Sequence, residues 1–366
     1  MKIFYAVQAT GNGHISRASE ILPYLQEYGE VHVFLSGSNY GLKTDLPVVY
    51  KSKGISLFYD HSTGSIDIAK TIKSISPRKL LSEARHLPLS QYDLIINDFE
   101  PLTSLACKLK GIDCIHFGHQ ASFKSSKVPR PAKRSAIGEW VLKNYAYGTR
   151  SIGLHFDNYD EGIYSPIIKD TILQTEPVDK GYITVYLGQY ADDVLIKQFH
   201  LIKGFQFHLF TSAATQPITS ENVKIFPINK KMFSQSMLES HGVITGGGFE
   251  TPAEALLLRK KLLVIPMKGQ YEQQCNAAAL QQMGVMSIAE MDDYFPVHFN
   301  KWMHKDTLID FKIHQNTEQI IQQLFIRSTE AKNEKMNYDL RRFTENQQLM
   351  ILKDHLSEGW NANAMS

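Results

Sequence analysis

The sequence predicts an α/β protein of two domains, each a mostly parallel sheet with crossover helices, and three observations carry that expectation. Strand-length apolar runs alternate with helical patterns, the alternation restarts after residue 180, and each half places a glycine-rich loop between a strand and a helix. At 366 residues the chain is long for one core, and 43% hydrophobic content is enough to fill two.

In order along the chain, KIFYAVQA reads as a strand, residues 14–28 as a helix and VHVFL as the next strand. DLIIND, a helix over 101–110 and DCIHFG repeat the unit. After residue 180 come YITVYLG, FQFHLF, NVKIFP, GVITGGG and KLLVIP, each followed by a loop or helix. Between the halves, residues 156–181 are rich in Pro, Gly and Asp and weak in periodicity, which predicts a linker. The domains are therefore expected at 1–155 and 182–333, with 334–366 a helix that is free to pack back across the first domain.

A net charge of +2 on 39 basic and 37 acidic residues gives no broad field for nucleic acid, so no nucleic-acid partner is expected. Cys107, Cys114 and Cys275 form no C-x-x-C pair, which points away from a disulfide framework or a cysteine zinc site and toward a reducing cytoplasm. MKIFYAVQATGNG lacks the features of a signal peptide, and no window is apolar enough to span a bilayer, so any membrane contact is expected to be peripheral.

In TGNGHISRASEIL, a turn through Gly11 and Gly13 leads into a helix starting near His14. Backbone N–H groups and the positive end of a helix dipole would meet a cleft there, a place for an anion or a sugar. Ser16 stands where a dinucleotide fingerprint needs its third glycine, and the G-K-[ST] ending of a nucleotide-triphosphate loop is absent. An imidazole at that position either takes a proton from a hydroxyl nucleophile or simply packs. Arg17, one turn on, either binds an anion or is a solvated helix residue, and the second reading is preferred.

The segment GVITGGGFETPAEALLLRKKLLVIPMKGQYEQQCNAA, residues 242–279, places Thr245 and the consecutive Gly246, Gly247 and Gly248 between a strand and a helix. Three glycines suggest close approach of the backbone to something, most plausibly a diphosphate, rather than a turn alone. Thr251, Pro252 and Glu254 fit a capping box, and Glu254 fits equally a carboxylate for two ribose hydroxyls. Glu272, Gln273, Gln274 and Asn276 gather polar groups at the ligand-facing edge of the sheet.

Together these two segments, about 60 residues, resemble the GT-B glycosyltransferases, in particular the group containing the lipid-linked N-acetylglucosaminyl transferase of peptidoglycan synthesis. The resemblance implies two Rossmann-like domains facing a cleft. GNGHISRA resembles that family's acceptor-side loop ending in Gly-His, with Asn12 between the two glycines here, and implies a catalytic role for His14. TGGGFETPAE resembles its donor loop: Gly246, Gly247 and Gly248 would lie near the diphosphate, Thr251 close by, and Glu254 on the ribose. EQQCNA resembles its acidic-Gln-x-x-Asn-Ala pattern, which implies that Glu272 and Gln273 touch the donor sugar; glutamate stands where aspartate is frequent.

The implied function is transfer of a sugar from a nucleotide donor, UDP by default, to an acceptor hydroxyl, inverting and without metal or other cofactor. No Asp-x-Asp motif occurs, Asp98-x-Glu100 being the nearest approach. NDFEP should emerge at the ligand edge, with Asp98 as base or as the group orienting His14, and Glu100 beside it, although both carboxylates also suit a helix start before Pro101. GHQASF brings His119 and Gln120 to the same neighbourhood. Residues 124–134, KSSKVPRPAKR, read as a mobile basic loop, either solvated or facing an anionic acceptor or acidic lipid at the inner membrane face. The acceptor, whether a glycan such as a cell-envelope polysaccharide, a lipid or a small molecule, is not specified. A nucleotide-sugar hydrolase and a non-catalytic nucleotide-sugar sensor are the alternatives.

Overall fold

The computed structural model describes residues 1–9, 12–37, 46–55, 59–60, 65–66, 73, 76–305 and 309–326. Its first half runs β1 (Lys2–Gln8), α1 (Asn12–Gln26), β2 (Glu30–Ser36), β3 (Val48–Ser52), a small antiparallel pair β4 (Tyr59–Asp60) and β5 (Ser65–Ile66), and α2 (Pro77–His86). It continues with β6 (Leu94–Asp98), α3 (Pro101–Lys110), β7 (Ile115–Gly118), α4 (Ala136–Asn144), β8 (Arg150–Leu154) and β9 (Ile163–Tyr164). Seven of these strands pair in the order β3-β2-β1-β6-β7-β8-β9, all parallel. β1 and β6 are buried along nearly their whole length because helices cover both faces, which is why they read as continuous apolar runs.

The second half runs α5 (Asp170–Leu173), β10 (Tyr182–Tyr186), α6 (Asp192–His200), β11 (Gln206–Thr211), β12 (Ile218–Ser220), β13 (Val223–Pro227), α7 (Lys230–Glu239) and β14 (Gly242–Thr245). It closes with α8 (Glu250–Leu257), β15 (Lys261–Val264), α9 (Tyr271–Gln282), β16 (Met286–Ser287) and α10 (Phe295–Met303). The order is β12-β13-β11-β10-β14-β15-β16, with only β12 antiparallel. In each sheet the strand order reverses beside the first strand, between β1 and β6 and between β10 and β14. The loops leaving the carboxyl ends of those strands therefore frame a crevice. They are the two glycine-rich loops.

Three expectations are corrected. The segment 156–181 is not simply a linker: β9 completes the first sheet, and α5 follows it. The first helix begins at Asn12, so Gly13 and His14 belong to its opening turn. The helix after the triple glycine begins at Glu250 with Phe249 as N-cap and no side-chain cap bond, so Thr251 does not cap it and the Thr-x-x-Glu pattern is not a capping box. Gly11 and the expected helix at 334–366 lie outside the described residues.

The second core is aromatic: Phe207 is fully buried, stacked 4.4 Å from Phe199 and tilted against Phe299 at 5.6 Å. Phe207→Ala is expected to lower the free energy of urea unfolding by about 3–5 kcal/mol. Ile218→Ala, on the half-exposed edge strand, is expected to change it by less than about 0.5 kcal/mol.

Candidate active site

The centre of the site is Asp98, the last residue of β6, fully buried. Its Oδ1 accepts from His14 Nδ1 at 2.8 Å and Arg17 Nη2 at 2.7 Å; its Oδ2 accepts from Arg17 Nε at 3.1 Å and the Tyr5 hydroxyl at 3.2 Å. Four donors meet the four lone-pair positions of one carboxylate. Burial would raise its pKa, but the Arg17 guanidinium and then His14 hold it well below the usual carboxylate range. Asp98 is therefore ionised, and it orients His14.

Two backbone features make room for this arrangement. Phe99, immediately after Asp98, has a φ of 56°, a costly conformation for a bulky residue, and its ring lies parallel to His14 at 6.4 Å. Gly118 has a φ of 111°, and a Cβ there would fall 3.0 Å from Asp98 Oδ1 and 3.2 Å from Arg17 Nη2. Neither position was singled out by the sequence, because backbone dihedrals leave no side-chain signature in a single chain.

The Gln120 amide nitrogen lies 3.4 Å from His14 Nε2 and donates to Glu272 Oε1 at 2.9 Å. The ionised Asp98 carboxylate favours the ring proton on Nδ1, where Arg17 Nη2 also lies 3.0 Å away, and that tautomer leaves a lone pair on Nε2 toward the Gln120 amide. Gln120 Oε1 is buried and has no hydrogen-bond partner among the described residues. Gln120, rather than His119, is thus the neighbour of His14.

His119 is buried, its ring nitrogens 3.0 Å from the Leu154 carbonyl and 2.7 Å from Asn276 Oδ1, and it stacks on Phe249 at 4.0 Å. Burial lowers its pKa. Glu100 is also buried, and both its oxygens accept from the N–H groups of Leu102 and Thr103 at the start of α3. Of its two readings, the helix cap is the one its contacts satisfy.

Arg17 corrects the sequence reading outright. It is not solvated: its side chain is 2% exposed, and beyond its fork on Asp98, Nη1 donates to Glu250 of the second half. Glu250, the first residue of α8, stood unremarked in the sequence because its partner is 233 residues away.

In the second half, Thr245 ends β14, and the glycines after it divide by surroundings. A Cβ on Gly247 would fall 2.5 Å from the Gln273 carbonyl, so its close approach is to α9; at Gly248 there is open space. Gln273 Oε1 accepts from the N–H of Gly247 and of Met267, and Asn276 Nδ2 donates to the Gly247 carbonyl at 2.9 Å. Gln273 and Asn276 therefore hold the loop itself. Thr251 lies in the first turn of α8.

Glu254 is 1% exposed and lies 3.0 Å from Lys169 Nζ through each oxygen. Burial raises its pKa, opposed by Lys169. Lys169 comes from the stretch expected to be a plain linker, and no periodicity marks it. Residues 124–134 also differ from a free basic loop: Arg130 pairs with Glu139 and lies over the Phe123 ring, Lys127 pairs with Asp160, and Lys133 and Arg134 remain exposed. Among the described residues no helix is long and apolar enough to cross a membrane, and no group of three His, Cys, Asp or Glu side chains is placed to hold a metal ion.

Comparison with known proteins agrees with this architecture. A spinosyn forosaminyltransferase, SpnP, shares 12% identity with a TM-score of 0.59, covering 90% of this chain and 99% of that one. LpCGTa, solved in complex with UDP, shares 12% identity with a TM-score of 0.57 over 90% of this chain and 99% of that one. MurG of Acinetobacter baumannii shares 15% identity with a TM-score of 0.54, covering 89% and 98%. No curated protein matches the sequence. At such identities the likeness is one of fold, that of the GT-B glycosyltransferases. The model of glycosyl transferase family 1 matches residues 1–305. The chain belongs to glycosyl transferase family 1, and it is a glycosyltransferase.

Proposed function

We propose that the chain moves a sugar from a nucleoside diphosphate donor, UDP first among the candidates, to an acceptor hydroxyl, with inversion and without a bound metal or other cofactor. The observation that carries the reading is the His14–Asp98 pair at the carboxyl end of β6, with Nε2 beside the Gln120 amide. The first sheet with its helices is the acceptor-side domain and the second the donor-side domain. UDP is chosen because LpCGTa, of similar fold, was solved with it.

His14 Nε2 takes the acceptor proton as the acceptor oxygen attacks the anomeric carbon from the face opposite the diphosphate. The bond from that carbon to the phosphate oxygen breaks, and the nucleoside diphosphate leaves with the electron pair. Asp98 steadies the imidazolium that forms. Gln120 Oε1, buried and unpaired, is suited to accept from a sugar or acceptor hydroxyl. The backbone of Gly246 to Gly248 faces the diphosphate, with Thr251 nearby. Glu254 takes the ribose hydroxyls: Lys169 engages one lone pair of each oxygen and leaves one on each. Glu272 meets the donor sugar, and Gln273 and Asn276 shape the loop that holds it.

For the acceptor, we place a peripheral contact with acidic lipid at residues 124–134, extended by α4. Exposed Lys133 and Arg134 stand beside Ile137 and Trp140, which are 76% and 64% exposed. Trp140→Ser is expected to reduce sedimentation with phosphatidylglycerol vesicles while leaving soluble-acceptor turnover unchanged; equal sedimentation would remove the membrane from this reading.

Nucleotide placement is tested by thermal shift. UDP should raise the melting midpoint of wild type and of His14→Ala, and raise that of Glu254→Gln far less. No shift in wild type with any nucleoside diphosphate sinks the donor reading. For the chemistry, Asp98→Asn is expected to lower kcat by about 10²–10⁴-fold. Because Asp98 is held below the usual range, wild type keeps its carboxylate ionised throughout, and the loss should persist at every pH between about 6 and 9. A deficit that vanishes at one end of that range would count against the pair.

A further inference from the structure

Resting on the donor reading above, we propose that Arg17 of the first half binds the donor diphosphate, and that in the ligand-free protein the Glu250 carboxylate stands in the place that diphosphate takes.

Arg17 carries its guanidinium in a fixed attitude. Nε and Nη2 fork onto Asp98 at 3.1 Å and 2.7 Å, which fixes the plane of the group and turns the third nitrogen, Nη1, toward the second half. What Nη1 meets there is the Glu250 carboxylate, two residues beyond the triple glycine. A guanidinium buried to this degree, with one nitrogen reserved for an oxyanion from the opposite half, has the geometry of a phosphate-binding arginine.

The space around that oxyanion is built for it as well. A Cβ at position 13 would fall 2.6 Å from Glu250 Oε2, so the carboxylate lies against the bare backbone of Gly13 in the first turn of α1. Gly13, Arg17 and the chain leaving Gly248 thus surround one negatively charged group. Glu250 is not locked there: its side chain is 19% exposed, whereas the Arg17 side chain is 2% exposed, and among the described residues the one hydrogen bond to its carboxylate comes from Arg17.

Charge decides which anion can stay. Asp98 and Glu250 already give the Arg17 cation two negative partners. A diphosphate at the adjacent glycines would add at least two more negative charges within a few ångströms, and one guanidinium cannot hold all of them. Glu250 yields, being exposed on one side and tied by one contact. Donor binding then breaks a link between the halves and remakes it through the diphosphate. Glu250 becomes a competitor that keeps the site closed to weaker anions.

The test is calorimetric titration of UDP and of uridine into wild type, Glu250→Gln and Arg17→Lys. Removing the competing charge should make Glu250→Gln bind UDP about five- to tenfold more tightly, and loss of the fixed fork should make Arg17→Lys bind it about tenfold more weakly. Uridine, which has no phosphate, should bind all three alike. Should Arg17→Lys fail to fold, Glu250→Gln decides alone, since its side chain is partly exposed. If wild type binds UDP and Glu250→Gln binds it no tighter, the displacement is overturned while the donor reading stands. If wild type binds neither UDP nor uridine, the donor reading falls and this inference with it.

Discussion

The site depends on keeping one carboxylate ionised where water cannot reach it. A lone buried aspartate would neutralise, because desolvation penalises charge more than a single hydrogen bond repays. Asp98 escapes that outcome by collecting a forked guanidinium, an imidazole and a phenol at once. Arg17 and His14 lie three residues apart on α1, so one helix face delivers both, and β1 lies beside β6 in the sheet and supplies Tyr5. The reversal of strand order next to β1 is what lets that helix end over Asp98. Topology and electrostatics are here the same constraint.

The second half meets this centre through polar side chains, beside an apolar cluster in which Tyr271 and Cys275 pack with Phe123, Val128, Leu142 and Ile163 of the first half. Glu250 reaches Arg17, Glu272 takes the Gln120 amide, and Asn276 takes the His119 ring nitrogen. These contacts are polar and specific, and those of Gln120, His119 and Asn276 are buried, so each needs a replacement partner if it is broken. His119 makes both kinds of contact. It stacks on Phe249 at the start of α8 and hydrogen-bonds to a side chain that holds the glycine loop, which makes it a fastener of the two halves.

Much of this was legible in the sequence because it rests on local patterns. Apolar runs of strand length report burial on both faces, and the two glycine loops fall at the two switch points where an α/β sheet binds ligands. What escaped was long-range or backbone-borne. Arg17 looked solvated because nothing nearby in sequence opposes its charge; Asp98 and Glu250, its partners, are 81 and 233 residues away. Thr251 and Glu254 satisfied a capping pattern, yet the helix starts earlier, at Glu250 after a buried Phe249, and Lys169 claims the Glu254 carboxylate. A local rule lost to a tertiary contact in each case.

The glycines make the same point from the other side. A run of three suggests a ligand, but Gly247 is small because the Gln273 carbonyl stands 2.5 Å from where its Cβ would be, a need met entirely inside the protein. Gly118 is small to clear Asp98 and Arg17, and Gly13 to clear Glu250. The absence of a side chain at these three positions therefore signals crowding without naming what crowds, while a Cβ at Gly248 would meet open space. Naming it takes polar atoms that the protein leaves unfinished, such as Gln120 Oε1, or that it finishes with a makeshift partner, as Arg17 Nη1 does with a carboxylate from the opposite half. Those atoms, more than the glycines, mark where a hydroxyl and an anion belong.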